Sequence, residues 1–432
     1  MSMYPLHNVR VLDLCPMFAG NFATQILSDL GAEVIKIEST QHWQFGPRGQ
    51  TARPTKQMTQ SAGGKWGYFQ KLPGKRPWER YAGFHTHSRN KLSVTVDLRR
   101  PEGVSIFKSL VKVADIFVDS NNAATVEKLG IDYPVLEAVN PSIIMVRMPG
   151  YGLSGPYRGN SAMAQTLEAF CGHTMIRGYR GMPPTGASSS VSSDAAAGAG
   201  GALAAIMALH FRRRTGLGQL VEMAQVENFM PLLGPAFMDF IFNGRIQEPM
   251  GNRHSSSAPC ECYPCAGEDQ WVAITVHNDA EWLGLRRALG DPEWAQDPGF
   301  GTVIERHRRQ DEIDGHLASW TKTREKYDVM ALLQTEGVPC GPVIEDGQAL
   351  DDPHLQARRH FQEITHPETG PYLLPGIPWR MSEIELRVRS PAPLLGQHNG
   401  YVYKELLGYS DAECARLEAE GHIGTEPAPH IP

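Results

Sequence analysis

Residues 9–38 read VRVLDLCPMFAGNFATQILSDLGAEVIKIE, and this run decides the fold. VRVLDL is a short apolar run of strand type. FAGNFATQILSDLG then places apolar residues at helical spacing and stops at Gly31, and AEVIKIE is a second strand. Strand, helix and strand in that order make a β-α-β unit, which implies a parallel pair with a right-handed crossover. The alternation resumes at KLSVTVDL (91–98) and continues through PEGVSIFKSLVKVA (101–114), with Pro101 at the first turn of its helix. DIFVDS (115–120), a helix through VEKLG (126–130) and SIIMVRMP (142–149) complete it. The sequence thus predicts an α/β fold around an open, Rossmann-like parallel sheet.

Outside this alternation, residues 39–88 are rich in Gly, Pro, Gln and Arg and show no steady period, so they form a long surface excursion. Its Trp43, Trp66, Tyr68, Phe69 and Trp78 would serve equally as the wall of a pocket for a bulky group or as a subunit contact. SSSVSSDAAAGAGGALAAIMALHFRRR (188–214) reads as a polar loop entering a helix that packs through small residues. Asp194 stands where it would cap that helix or favour its N-terminal dipole, with a catalytic role as the alternative, and Arg212, Arg213 and Arg214 suit its C-terminus. From about 230 to 345 the pattern changes to strand-like ECYPC and QWVAITV with helical EWLGLRRALG, consistent with a second domain. The final EGHIGTEPAPHIP reads as a loose tail.

At 432 residues the chain exceeds one compact core, and two domains are expected. A net charge of −6 speaks against a general nucleic-acid or anionic-membrane surface, while leaving an anionic small ligand served by local Lys and Arg. The N-terminus has no basic segment leading into a long apolar core, and no run of about 18 apolar residues is evident; neither a secretory leader nor a membrane span is expected. Seven scattered cysteines, an odd number, fit a reducing cytoplasm. Cys260, Cys262 and Cys265, with His254 nearby, form C-x-C-x-x-C without a matching second pair. They read as part of a strand, and no metal is expected.

Gly150-Tyr-Gly152-Leu-Ser-Gly155 matches the dinucleotide fingerprint G-x-G-x-x-G. Pro156 and Tyr157 follow directly, however, and no acid stands about 20 positions on, so the glycines are read as a sharp turn near a ligand. His85 and His87, in FHTHSRN, read as exposed loop histidines, with proton shuttling as the alternative.

These segments together carry a resemblance. The opening run, SRNKLSVTVDLRRPEG, ADIFVDS with VEKLGIDY, GYGLSGPY, RRRTGLGQLVEMAQVE, GNRH, SPAPLLGQHN and ELLGYS are similar, in order and spacing, to the class III CoA-transferases. That family includes formyl-CoA transferase, carnitine CoA-transferase and α-methylacyl-CoA racemase. The resemblance implies an interlocked homodimer in the cytoplasm and acyl-CoA as substrate. It implies a large domain built from both chain ends (1–225 and 346–432) and a smaller α+β domain at 226–345. Phe18, Ala19, Asn90, Lys91 and Lys128 are then expected along the CoA path, and Tyr151 near the active site.

Transfer of CoA between carboxylic acids without loss of the thioester to water calls for an enzyme carboxylate as nucleophile. The family carries an Asp for this, and an ungapped match of GPYRGNSAMAQTLEAFCG puts Ala164 at its position. The nearest acid is Glu168, one helical turn along the same face, and it becomes the candidate replacement. Its one extra methylene is shorter than that turn. Two alternatives stand beside transfer: an isomerase, racemase or lyase that abstracts the proton α to the thioester, or an inactive CoA-binding subunit paired with an active paralogue.

Overall fold

The computed structural model describes residues 4–61, 63, 67–186 and 191–432. β1 (Arg10–Leu14), α1 (Phe18–Asp29) and β2 (Glu33–Glu38) form the expected β-α-β unit, with Val11 beside Val34 and Leu12 beside Ile35 in parallel register. The chain continues through β3 (Lys91–Thr95), α2 (Pro101–Lys112), β4 (Ile116–Asp119), α3 (Ala123–Leu129) and β5 (Ile144–Arg147). Then come α4 (Ala164–Phe170), the long α5 (Ser192–Thr215) and β6 (Gln219–Glu222). All six strands are parallel, in the order β3-β2-β1-β4-β5-β6. This is the doubly wound order, whose switch point lies between β1 and β4.

Both faces of the sheet are covered, which explains why its strands read as continuous apolar runs. Leu12, Ile35, Val94, Phe117 and Met145 point into one core with Ile106, Phe107 and Leu110 of α2. Their neighbours Val11, Val34, Ile116, Val118 and Val146 point into the other, beneath α1 and α5. α5 is long and apolar enough by composition to cross a membrane. Here it is a helix of this core: Ala197, Gly198, Gly201, Ala202, Ala205 and Ala208 are buried, while Leu203, Met207 and Phe211 are exposed on its outer side.

The chain divides into two compact units. The larger comprises 1–171, 189–235 and 358–432, and the smaller 172–188 and 236–357. In the smaller unit, β7 (Cys260–Pro264), β8 (Trp271–Thr275) and β9 (Cys340–Val343) form an antiparallel sheet. Its core includes Tyr263, Val272, Ile274, Trp282 and Phe300. The cysteine cluster belongs to this sheet: Cys260 and Cys262 lie on β7, and Cys265 is buried just beyond it.

The return segment, which carries the hairpin of β10 (Phe361–His366) and β11 (Gly370–Pro375), completes the larger unit. Two sequence expectations are corrected here. The tail is not loose, because Arg53 N–H donates to Pro432 O at 3.1 Å, Ala428 N–H donates to Thr40 O at 2.8 Å, and His422 and Ile431 are buried. Nor are His85 and His87 exposed loop residues. They lie on a short helix, Ala82–His87, where His85 is buried and bonded to Tyr372 Oη and Glu79 O, each at 2.8 Å. His87 packs on Phe18, with ring centroids 4.8 Å apart. The excursion is pinned by Arg48, which bonds Glu38 and Glu79, and by Tyr68, Tyr81 and Phe84 clustered with Ala392. Trp78 is buried there too, and Trp66 lies outside the described residues.

Candidate active site

A cavity of about 250 Å³ opens beyond the carboxyl ends of the paired strands β1 and β4. Pro16 to Ala19, after β1, form one wall; Ser120 to Asn122, after β4, form another. Gly150, Ala162 to Gln165, Val191, Asp194 and Gln225 close the rest. The site thus lies at the carboxyl ends of strands at the topological switch point, where open α/β sheets bind ligands. α1 can approach β4 this closely because residue 20 is glycine: a Cβ there would stand 2.4 Å from Cys15 Sγ and 2.6 Å from Ser120 Oγ.

Beneath the β1 wall lies a buried charge network. Lys91 Nζ donates to Asp13 Oδ2 at 3.0 Å, Thr24 Oγ1 at 2.8 Å and Asn21 O at 2.9 Å, while Lys36 Nζ donates to Asn21 Oδ1 at 2.6 Å and Cys15 O at 3.1 Å. Burial penalises charge on Asp13, but the ammonium groups of Lys36 and Lys91 outweigh it and hold its carboxyl at about 2. The network ties the loop carrying Cys15 to the first turns of α1. On the β4 side, Asp119 accepts from the Asn121 side chain at 2.6 Å and from Arg147 Nε at 3.2 Å, fixing Asn121 at the cavity edge. The Ser120 hydroxyl is buried and has no hydrogen-bond partner among the described residues.

Of the residues expected along the CoA path, the structure brings Phe18 and Ala19 to the cavity. Lys91 does not reach it, being fully enclosed with its three bonds spent on Asp13, Thr24 and Asn21. Asn90 is a clamp, sitting in a left-handed turn with φ 61°. It donates to Asp29 Oδ1 and accepts from Arg389 N and Ser390 N, each bond no longer than 3.1 Å. Lys128 lines a separate cleft with Arg99, Arg100, Pro101 and Thr125. Thr125 also lines the cavity, so the two depressions adjoin. In the cleft Arg100 donates from Nε to Asp97 Oδ2 at 2.9 Å, while its Nη2 is buried without a partner among the described residues. Tyr151 packs in an aromatic group with Tyr157 and Phe170, centroids 6.0 and 5.3 Å away, rather than lining the cavity. Gly152 and Gly155, with φ of 92° and 79°, make the turn that follows Tyr151.

The two acids stand differently toward the cavity. Glu168 is 1% exposed and is not among the cavity-lining residues. Its Oε1 accepts from Ser193 N–H at 3.2 Å, in the first turn of α5. Val191, at the N-cap of that helix, makes no side-chain cap bond, and Glu168 reaches across from α4 to satisfy one of its orphan donors. Asp194, expected as the cap or as a charge favouring the N-terminal dipole, lies in the first turn of that helix and lines the cavity. Ser193 Oγ lies 3.4 Å from Ala164 O, so the Asp194 turn and the Ala164 turn are adjacent. The signal that could have shown this was the pattern Ser192-Ser193-Asp194 with no capping residue at 191.

Comparison with known proteins accords with this geometry. Residues 6–399 match the family model described as CoA-transferase family III. The chain is 34% identical over 416 residues to a succinyl-CoA–D-citramalate CoA-transferase of Chloroflexus aurantiacus, covering 96% of this chain and 97% of the relative. It is 30% identical over 415 residues to a succinyl-CoA–L-malate CoA-transferase alpha subunit of the same organism, covering 96% of this chain and 92% of the relative. A CAIB/BAIF family protein from Brucella suis superposes with a TM-score of 0.77 at 29% identity, over 93% of this chain and 99% of that one. The chain belongs to CoA-transferase family III.

Proposed function

We propose that the protein moves CoA from an acyl-CoA donor to a carboxylic acid through an enzyme-bound carboxylate. The observation that carries this reading is the pair of adjoining depressions sharing Thr125. One is a small cavity with polar amides at the switch point, suited to an acyl group. The other is a cleft with Arg99, Arg100 and Lys128, suited to the phosphates of CoA. The buried, unpartnered Arg100 Nη2 supports a ligand anion there. The named activities of relatives point to succinyl-CoA as donor and a dicarboxylic acid as acceptor. The exposed Leu203, Met207 and Phe211 on α5 support pairing of two copies. The test is exchange of isotopically labelled acids into a panel of acyl-CoAs, succinyl-CoA first. Transfer of label into the CoA ester is expected, and its absence with every pair sinks the reading.

A second reading has its own support. Alanine at 164, and relatives named as alpha and beta subunits, fit a CoA-binding chain that works beside an active paralogue. Exchange that appears only after a paralogue is added would favour it.

A further inference from the structure

Among the described residues lining the cavity, Asp194 is the only one with an ionisable side chain. We propose that Asp194 is the carboxylate that carries the acyl and CoA groups during transfer, in place of the aspartate missing at 164; this rests on the transfer reading above. Three observations converge on it. Ala164 and Asp194 both line one cavity. The 3.4 Å contact between Ser193 Oγ and Ala164 O makes the two turns neighbours, so the displacement is small within the site although it spans 30 positions of chain. Glu168, the nearer acid in sequence, is withdrawn beneath the cavity wall by its bond to Ser193 N–H. Asp194 also stands in the first turn of a 24-residue helix, an end that favours negative charge.

The steps balance without a cofactor. An Asp194 oxygen attacks the donor thioester carbon, the C–S bond breaks, and CoA leaves as thiolate, giving a mixed anhydride. The thiolate then attacks the Asp194 carbonyl carbon, releasing the donor acid as carboxylate and leaving an Asp194–CoA thioester. The acceptor carboxylate attacks that carbon and expels the thiolate. The thiolate closes the cycle by attacking the acceptor acyl carbon, which frees acceptor acyl-CoA and the Asp194 carboxylate. No electron or net proton is exchanged. The unpartnered Ser120 hydroxyl, on the same cavity, is the donor available to a tetrahedral oxyanion.

The deciding experiment uses the wild-type protein. It is mixed with succinyl-CoA, quenched with borohydride to reduce any side-chain thioester to the alcohol, digested and mapped by mass spectrometry, with label exchange assayed in parallel. The alcohol is expected at residue 194. Reduction at Glu168 or any other acid overturns the proposal, as does exchange with no carboxylate modified. Exchange without modification at 194 leaves the transfer reading standing; no exchange with any acyl-CoA removes both. Asp194→Asn is expected to keep its thermal midpoint and lose exchange by about a thousandfold or more. Exchange within tenfold of wild type in that variant overturns the assignment.

Discussion

Lys91 and Glu168 show how a residue type that suits a ligand can be spent on the fold. Lys91 was a reasonable CoA contact by position, yet its ammonium lies with Asp13, Thr24 and Asn21 in the interior. Removing one member of a buried ion pair strands the other, at a cost of about 3–5 kcal/mol. Lys91→Met should therefore lower the urea midpoint sharply, with CoA affinity of the folded fraction unchanged; a weakened CoA affinity at wild-type stability would restore Lys91 to the binding site. Glu168→Ala removes the acceptor from a buried N–H of α5, which costs about 1–3 kcal/mol. Chemical denaturation should show that loss, and Glu168→Gln, which keeps an acceptor, should recover most of it. If Glu168 were the nucleophile, both variants would instead be fully stable and inactive.

At the scale of elements, the sheet was legible because its strands and helices obey local rules. Continuous apolar runs mark strands covered on both faces, and Gly31, Pro101 and Gly130 mark a helix start or two ends. The small-residue helix was legible too, and its reason is spatial: a Cβ at Gly201 would stand 2.5 Å from Met148 Sδ, and one at Gly198 would stand 2.5 Å from Phe22 Cδ1. Gly201→Leu should overpack this contact and cost about 1–3 kcal/mol, read as a lower denaturation midpoint. Leu203→Ala, on the exposed side of the same helix, should cost the isolated chain under about 0.5 kcal/mol. What could not be read locally is which side chains meet across the chain. The cap on α5 comes from Glu168 in another helix, and the clamp on Asn90 comes from residues 389 and 390. No periodicity encodes a partner 300 residues away.

For the larger unit as a whole, the excursion, the short helix carrying His85 and the return hairpin share one buried histidine cluster. His85 and His366 have ring centroids 4.6 Å apart, and both are nearly enclosed. Burial is the main cause that lowers His85 to about 4 and His366 to about 3, with the charges of Arg48 and other neighbours adding to it. In the unfolded chain both return to about 6.5. Below that value the unfolded state binds more protons than the folded one, so stability rises with pH in this window. Their contribution is therefore complete above about pH 6.5 and drains as pH falls toward 4. Each histidine contributes a slope of about 1.4 kcal/mol per pH unit, which makes roughly 2.7 for the pair. Asp13, held at about 2, adds its own loss only below about pH 4. His87, lowered to about 4 chiefly by burial, adds a like share, so urea unfolding at steps between pH 7 and 4.5 should show at least the pair's slope, and His366→Gln should remove about a third of the three-histidine total. A flat profile across that interval would mean that the histidines are charged or hydrated in the folded protein, and that the strap joining excursion to hairpin opens in solution.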